Sequence, residues 1–199
     1  MLIDELLPTY DTVERHHIQI YAPAHIVFEA VRQLDLSGSR VVRLLFRLRE
    51  LPGRFRGSRA TTRRLGLTLQ NLIDNGFILL GERPDEEIVL GLAGRFWSVS
   101  GNIKRINAEE FKAFALAGFA KAVWNFSLSE GEGGSTRLAT ETRVLCLDDT
   151  SRRRFKLYWT LIAPFSGVIR KQALRAVKRS AETNTTACGG CGPVPTRPD

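Results

Sequence analysis

The chain has 199 residues, of which 43% are hydrophobic and 25% are charged, a composition typical of a globular protein with an ordinary core. It has no apolar run of about 18 residues that would predict a membrane-spanning helix. Its three cysteines are too few for a disulfide framework. The formal net charge of +8 permits a polyanionic partner, but it also fits a soluble protein that is simply rich in arginine.

The first third of the chain predicts one strand followed by helices. Thr12–Tyr21 alternates as a strand does, and Pro23 begins a helix that ends near Leu34. A second helix is expected from Arg40 to about Leu51. The basic segment Arg54–Arg64 is expected to be an exposed loop, and a short helix follows at Thr68–Ile73.

The central part of the chain predicts an antiparallel meander. Turn residues join neighbouring apolar segments, so successive strands would pair as hairpins. A short helix capped by Asn107 interrupts this series. The predicted strands are Phe77–Glu82, Glu87–Leu92, Arg95–Ser98, Asn102–Ile106, Phe119–Ser129 and Thr136–Leu147.

The longest helical pattern runs from Asp149 to Ala181. Its apolar residues recur at steps of three and four, which predicts a buried stripe. Pro164 removes one backbone hydrogen bond and crowds the preceding turn, so we expect a kink or a break there. We expect one domain over residues 1–182 and a disordered, Gly- and Pro-rich tail over 183–199.

Hairpin strands followed by one long helix predict an α+β fold in which that helix covers a curved antiparallel sheet of about six strands. This element order resembles that of the helix-grip superfamily (START, Bet v 1 and polyketide cyclase-like proteins, SRPBCC). Four stretches are similar to a little-characterised bacterial branch of it: APAHIVFEAV, GLAGRFW, TRLATETRVLC and RRRFKLYWTLIAPFSGVIRK. The resemblance covers about Thr12 to Ala181. It implies a sheet wrapped around the C-terminal helix, with extra helices inserted after the first strand.

The resemblance also implies a cavity between sheet and helix that binds or transfers an apolar small molecule, such as a lipid, a quinone or a polyketide-like compound. One alternative is an enzyme of the cyclase or dehydratase type that uses the same cavity. Another is an interaction module whose cavity has collapsed. No HExxH, GxSxG or GKS/GKT motif is present, so we name no catalytic residue, cofactor or metal and favour a protein without catalysis.

Alternation within the last strand leaves its two faces undecided, because a shift of one residue exchanges them. We expect Glu141 and Arg143 to lie outside in solvent, since unpaired buried charges are costly, and Cys146 to be a core residue. Tyr158 is the polar group best suited to meet a ligand, because a buried Tyr hydroxyl needs a partner. The candidate cavity residues are Trp97, Trp124, Phe126, Thr140, Thr142, Phe155, Tyr158 and Ile162.

Arg152, Arg153 and Arg154 occupy the first turn of the final helix, where positive charge opposes the helix dipole. Pairing with the preceding aspartates is one explanation. Contact with an anion, either lipid headgroups or an acidic partner, is the other. We hypothesise a peripheral contact with an anionic membrane surface. Nucleic acid is disfavoured, because no known motif occurs and the aromatic residues follow core patterns.

The remaining cysteine and histidine motifs give weaker evidence about function. Cys188 and Cys191 have knuckle-like spacing, but zinc needs four ligands, so we expect a flexible tail with two thiols and leave binding between two chains as a hypothesis. His16 and His17 point to opposite faces of a strand and cannot ligate one metal together. The N-terminal residues lack the pattern of a secretory signal, so a cytoplasmic location is expected, and the oligomeric state is left open.

Overall fold

The computed structural model describes residues 1–35, 68–74, 76–98 and 102–187. Its strands are β1 (Thr12–Ile20), β2 (Ile78–Arg83), β3 (Glu87–Gly94), β4 (Ala120–Glu130) and β5 (Thr136–Cys146). Its helices are α1 (Leu2–Leu6), α2 (Ala24–Arg32), α3 (Leu69–Asp74), α4 (Ala108–Ala113) and α5 (Asp149–Ala187). The strands form one antiparallel sheet in the order β1-β5-β4-β3-β2.

Local turn chemistry sets the hairpins and one helix start. Asp85 adopts a left-handed φ of 61° in the turn between β2 and β3, and Gly133 does the same, at 63°, between β4 and β5. Asn107 caps α4, because its side chain accepts a 2.8 Å hydrogen bond from the Glu110 backbone and the Glu110 carboxylate accepts one from the Asn107 backbone. The cap at Asn107 confirms the prediction.

The sheet face toward α5 carries the larger core. Phe126 of β4 and Leu138 of β5 are almost completely buried there, beneath the C-terminal half of α5 and beside α2. The helical residues of this core are Val27, Phe28, Val31, Ala173, Leu174, Val177 and Ala181. The long helix therefore covers the sheet as predicted, and the protein has an α+β helix-grip fold.

The opposite face of the sheet is also covered, by α1 and α4. The sequence analysis did not predict α1, which packs onto Arg143. That guanidinium donates to the carbonyls of Ile3 and Leu7 and pairs with Asp4 at 2.6 Å and with Glu141 at 2.7 Å. The prediction that Glu141 and Arg143 face away from the long helix is correct. The prediction that both are solvated is wrong, because only 5% of Arg143 and 13% of the Glu141 side chain are exposed. Ion pairing offsets the cost of this burial.

Two predicted strands are absent from the described sheet. Residues 95–98 form a turn, and within Asn102–Ile106 only Lys104 forms an isolated bridge, with Ala93. The described sheet therefore has five strands rather than about six.

The long helix is continuous through Pro164, so of the kink or break expected there the break is absent. The helix continues to Ala187, so residues 183–187 of the expected tail are helical. The predictions for Arg40–Leu51, for Arg54–Arg64 and for the two tail cysteines concern residues outside the described part of the chain.

Candidate functional site

The N-terminal half of α5 packs less tightly on the sheet than its C-terminal half. Tyr158, Trp159 and Ile162 are only half-buried, and so are Ala122 and Trp124 on the same side of the sheet. We call these five residues the half-buried region. Because these side chains keep part of their surface exposed, this region is the part of the sheet–helix interface that solvent or a ligand can reach.

An aromatic cluster closes one end of the half-buried region. Phe155 is buried at its centre, with Tyr158 at 6.1 Å and Trp159 stacked at 5.6 Å between ring centroids. Phe96 meets Phe155 edge to face, and Trp97 packs on the same cluster. Three of the predicted cavity residues, Trp97, Phe155 and Tyr158, are thus brought together, although Phe155 itself is a core residue.

A second group of predicted residues lies on the strands. The indole N–H of Trp124 donates to the Thr140 hydroxyl at 2.6 Å, and Thr140 donates to the Asn125 carbonyl at 2.7 Å. Phe126 contacts the Trp124 ring at 5.0 Å and is buried beside it. The Thr140 hydroxyl is therefore used within the protein, while Trp124 remains partly exposed.

A polar network that the sequence analysis missed joins β1 to α5. Arg170 is buried and donates to the Thr142 hydroxyl at 3.0 Å, to the Glu14 carboxylate at 2.9 Å and to the Ser166 hydroxyl. His16 shares the other Glu14 oxygen at 2.9 Å. We call these five residues the Arg170 cluster. Burial lowers the pKa of Arg170, and the nearby Glu14 charge opposes that shift.

Close approach of the helix makes the Arg170 cluster possible. A Cβ on Gly167 would lie 2.8 Å from a Glu14 carboxylate oxygen and 3.4 Å from His16 Nε2, so glycine lets α5 pass near the strand. An arginine in a helix this basic would be expected on the exposed face, but Arg170 is buried. One signal was available, because Arg170 lies four residues after Ser166 and three before buried Ala173, on the helix face that packs on the sheet.

The arginine triplet divides into two kinds. Arg152 donates to Asp11 at 2.7 Å and also pairs with Asp149, and the bond to Asp11 raises its pKa. Arg153 and Arg154 form no ion pair within the described residues, and both side chains are exposed. Local pairing therefore accounts for Arg152 and leaves its two neighbours available to an anion.

Two surface pockets lie elsewhere. One, of about 400 Å³, is formed around Phe77, Arg105 and Glu110, and the other, of about 240 Å³, around Arg95, Lys104 and Phe119. Neither is lined by α5, so neither is the predicted cavity. Among the described residues no group of three His, Cys, Asp or Glu side chains could hold a metal ion.

The chain thus combines a helix-grip fold with the half-buried region between α5 and the sheet. No protein-family model and no curated protein matches the chain. Among solved structures it is similar to the ZhuI aromatase/cyclase of Streptomyces sp. R1128, with 15% identity and a TM-score of 0.33 over 90% of this chain and 99% of that one. It is also similar to TTHA0849 of Thermus thermophilus, with 7% identity and a TM-score of 0.30 over 90% and 100%. At these values neither similarity says anything about function.

Proposed function

We propose that the protein binds or transfers an apolar small molecule, such as a lipid, a quinone or a polyketide-like compound, under the N-terminal half of α5. The observation that carries the proposal is the half-buried region, where Trp124 on the sheet and Ile162 on the helix keep apolar surface accessible. Small-molecule sites combine such surface with a few polar groups. Here the half-buried Tyr158 is the polar group of the region that a ligand would meet.

A ligand carried through purification tests the proposal directly. Native mass spectrometry of protein purified from its own cells should detect a bound apolar compound, which an organic extract should release. Dansyl undecanoic acid then serves as a probe, because energy transfer from tryptophan reports its binding. A protein that carries no compound and does not bind the probe would contradict the proposal.

Two adjacent helix positions provide a matched pair of variants. Ile162→Trp fills the half-buried region and should weaken probe binding about tenfold or more, since the added ring occupies the same space. Leu161→Trp adds the same ring on the outward face and should leave probe affinity unchanged. Equal effects of the two variants would place the probe elsewhere.

The alternative is an enzyme of the cyclase or dehydratase type. The observation that favours it is the His16–Glu14 contact of 2.9 Å beside the half-buried region, because an imidazole and a carboxylate can move a proton. Incubating the extracted compound with purified protein distinguishes binding from catalysis. A compound whose mass stays unchanged supports binding or transfer. A new product that the His16→Gln variant does not form would establish catalysis.

We propose in addition that the outer face of α5 contacts an anionic membrane surface. Leu157 and Leu161 are 79% and 70% exposed, and Phe165 and Val168 lie on the same helix face. At about 1.5 Å per residue these four side chains form an apolar stripe roughly 17 Å long. Exposed apolar stripes of this kind mark interaction sites. None of the described helices is long and apolar enough to cross a membrane.

Charge favours an anionic lipid surface over a second copy of the chain. Between Thr150 and Ala181 the basic residues are numerous and no acidic one occurs. Arg153 and Arg154 precede the stripe, and Lys171 and Arg175 follow it, all exposed. In a helix pair these cations would face one another, whereas at a membrane each contributes about 1 kcal/mol of attraction.

Vesicle co-sedimentation tests the membrane contact. The protein should sediment with phosphatidylserine-containing vesicles at low salt and much less with pure phosphatidylcholine vesicles or at high salt. Leu157→Ser should reduce binding, whereas Leu116→Ser, at a leucine that is 51% exposed outside α5, should not. Equal binding to neutral and anionic vesicles would refute the contact.

A further inference from the structure

A second site is indicated by Arg95, which follows β3. Its guanidinium lies over the Phe119 ring, with Cζ 4.5 Å from the ring centroid. On another side it packs against Gly118, where an added Cβ would come within 3.1 Å of Nη2. Gly118 has a φ of 84°, which glycine adopts without strain. The guanidinium is therefore held in place by an aromatic ring and by backbone.

This fixed guanidinium has no hydrogen-bond or ion-pair partner within the described part of the chain, and its Nε is fully buried without one. The other poorly exposed arginines behave differently. Arg143 has Asp4 and Glu141, and Arg170 has Glu14. Buried polar groups are normally satisfied, so a preorganised guanidinium without a partner among the described residues is available to a ligand.

A second cation shares the same ring. Lys104 Nζ lies 5.1 Å from the Phe119 centroid, and the Lys104 backbone is fixed by a 2.9 Å hydrogen bond to the Ala93 carbonyl. Lys104 likewise forms no ion pair with a described residue. Both cations line the pocket of about 240 Å³, whose other described lining residues are Asn102, Ile103 and Phe119.

The pocket contains no acidic residue among its described lining. The Asp148 carboxylate, which accepts a 2.5 Å hydrogen bond from the Gly118 N–H, forms no ion pair with Arg95 and is occupied by Ser151. Two positive charges with no counter-charge repel each other, and a bound anion relieves that repulsion. The pocket therefore has the electrostatics of an anion site.

We propose that Arg95 and Lys104 bind a phosphate group in this pocket. A guanidinium fork matches phosphate oxygens geometrically, and an ammonium adds a point charge. A phosphate monoester carries about −1.5 to −2 at neutral pH, which balances two cations better than one carboxylate does. The phosphate is either free or part of a small organic molecule. This site is independent of the half-buried region and of the membrane contact.

NMR and calorimetric titrations test the site in a low-salt buffer without phosphate. Inorganic phosphate and glycerol phosphate are the two probes, and the readouts are the amides of Gly118 and Phe119 and the Arg95 Nε–H signal. Binding of both probes shows that the free anion suffices. Binding of glycerol phosphate alone assigns the site to organic phosphates. If neither probe shifts these signals, the proposal is overturned.

Three variants make the assignment specific. Arg95→Gln and Lys104→Gln should each weaken phosphate binding about tenfold by removing a charge-assisted contact. Arg137→Gln removes the same charge from an exposed position on β5 and should not change the affinity. Lys104 is exposed, so its variant keeps the test valid even where Arg95→Gln loosens the local packing. Equal weakening by all three variants would show general charge attraction and overturn the site.

Discussion

The Arg170 cluster offers the sharpest test of what holds α5 on the sheet. Arg170→Met keeps an unbranched apolar stem but removes the guanidinium and its bonds to Glu14 and Thr142. Breaking a buried pair by removing one partner costs about 3–5 kcal/mol. Glu14 is 18% exposed and keeps His16, so the lower end of that range, about 3 kcal/mol, is expected.

Urea and thermal unfolding measure the loss. At about 2–4 °C per kcal/mol for a domain of this size, the melting temperature should fall by roughly 6–12 °C. Arg175→Met, on the exposed face of the same helix, should change stability by less than about 0.5 kcal/mol. The double variant Glu14→Met/Arg170→Met should recover part of the loss, because no unpaired charge is left buried.

One result would refute this reasoning. If Arg170→Met changed stability by less than about 1 kcal/mol but abolished probe binding, Arg170 would be a ligand-binding residue rather than a structural one. The reasoning would also be refuted if the stability losses of the two single variants added up to that of the double variant, because the 2.9 Å contact between Arg170 and Glu14 requires that they be coupled.

Three further outcomes follow from the same structure. Gly167→Ala should lower the melting temperature, because its Cβ meets a Glu14 oxygen that Arg170 holds in place. Hydrogen bonds from the Ser151 side chain and backbone lower the pKa of Asp148 from 3.8 to about 2. The ionised Asp148 therefore stabilises the folded protein above pH 3.8, and this contribution is lost as the pH falls toward 2. Unfolding measured across this pH range should show the loss in the wild type and not in Asp148→Asn. Burial raises the pKa of Cys146 to about 12, so with the tail cysteines changed to serine a thiol reagent should react with the native protein only as fast as it unfolds.

Some of these features could be predicted from the sequence because they depend on local spacing. Alternation in β4 places Trp124 and Phe126 on one face, and the structure has both on the side of α5. The period of two in β5 likewise put Thr140 and Thr142 together, although only the structure shows which face meets the helix. Sequence spacing was sufficient where the position of a side chain depends only on its neighbours along the same strand.

The missed features depend on partners far apart in the chain. Arg170 pairs with Glu14 across 156 positions, so no window of sequence contains both. A lone arginine is normally expected at the protein surface, unless a carboxylate from a distant part of the chain pairs with it. Helix α1 was missed for a similar reason. It has five residues, and its position depends on Arg143, which lies 140 positions after Ile3.

The middle of α5 has more apolar surface than one sheet can cover. Residues 157–169 contain no charged side chain, and a helix that is apolar all round normally has contacts on every side. Ile162 is half-buried and the adjacent Leu161 is 70% exposed, so neighbouring positions belong to different surfaces. If a membrane covers the outer surface while a ligand enters the inner one, Leu161→Ser should weaken vesicle binding and slow transfer to vesicles without changing probe affinity. Ile162→Trp should weaken probe binding without changing vesicle binding. Identical behaviour of the two variants would mean that both residues serve one surface, and that ligand binding and membrane contact are not separate functions.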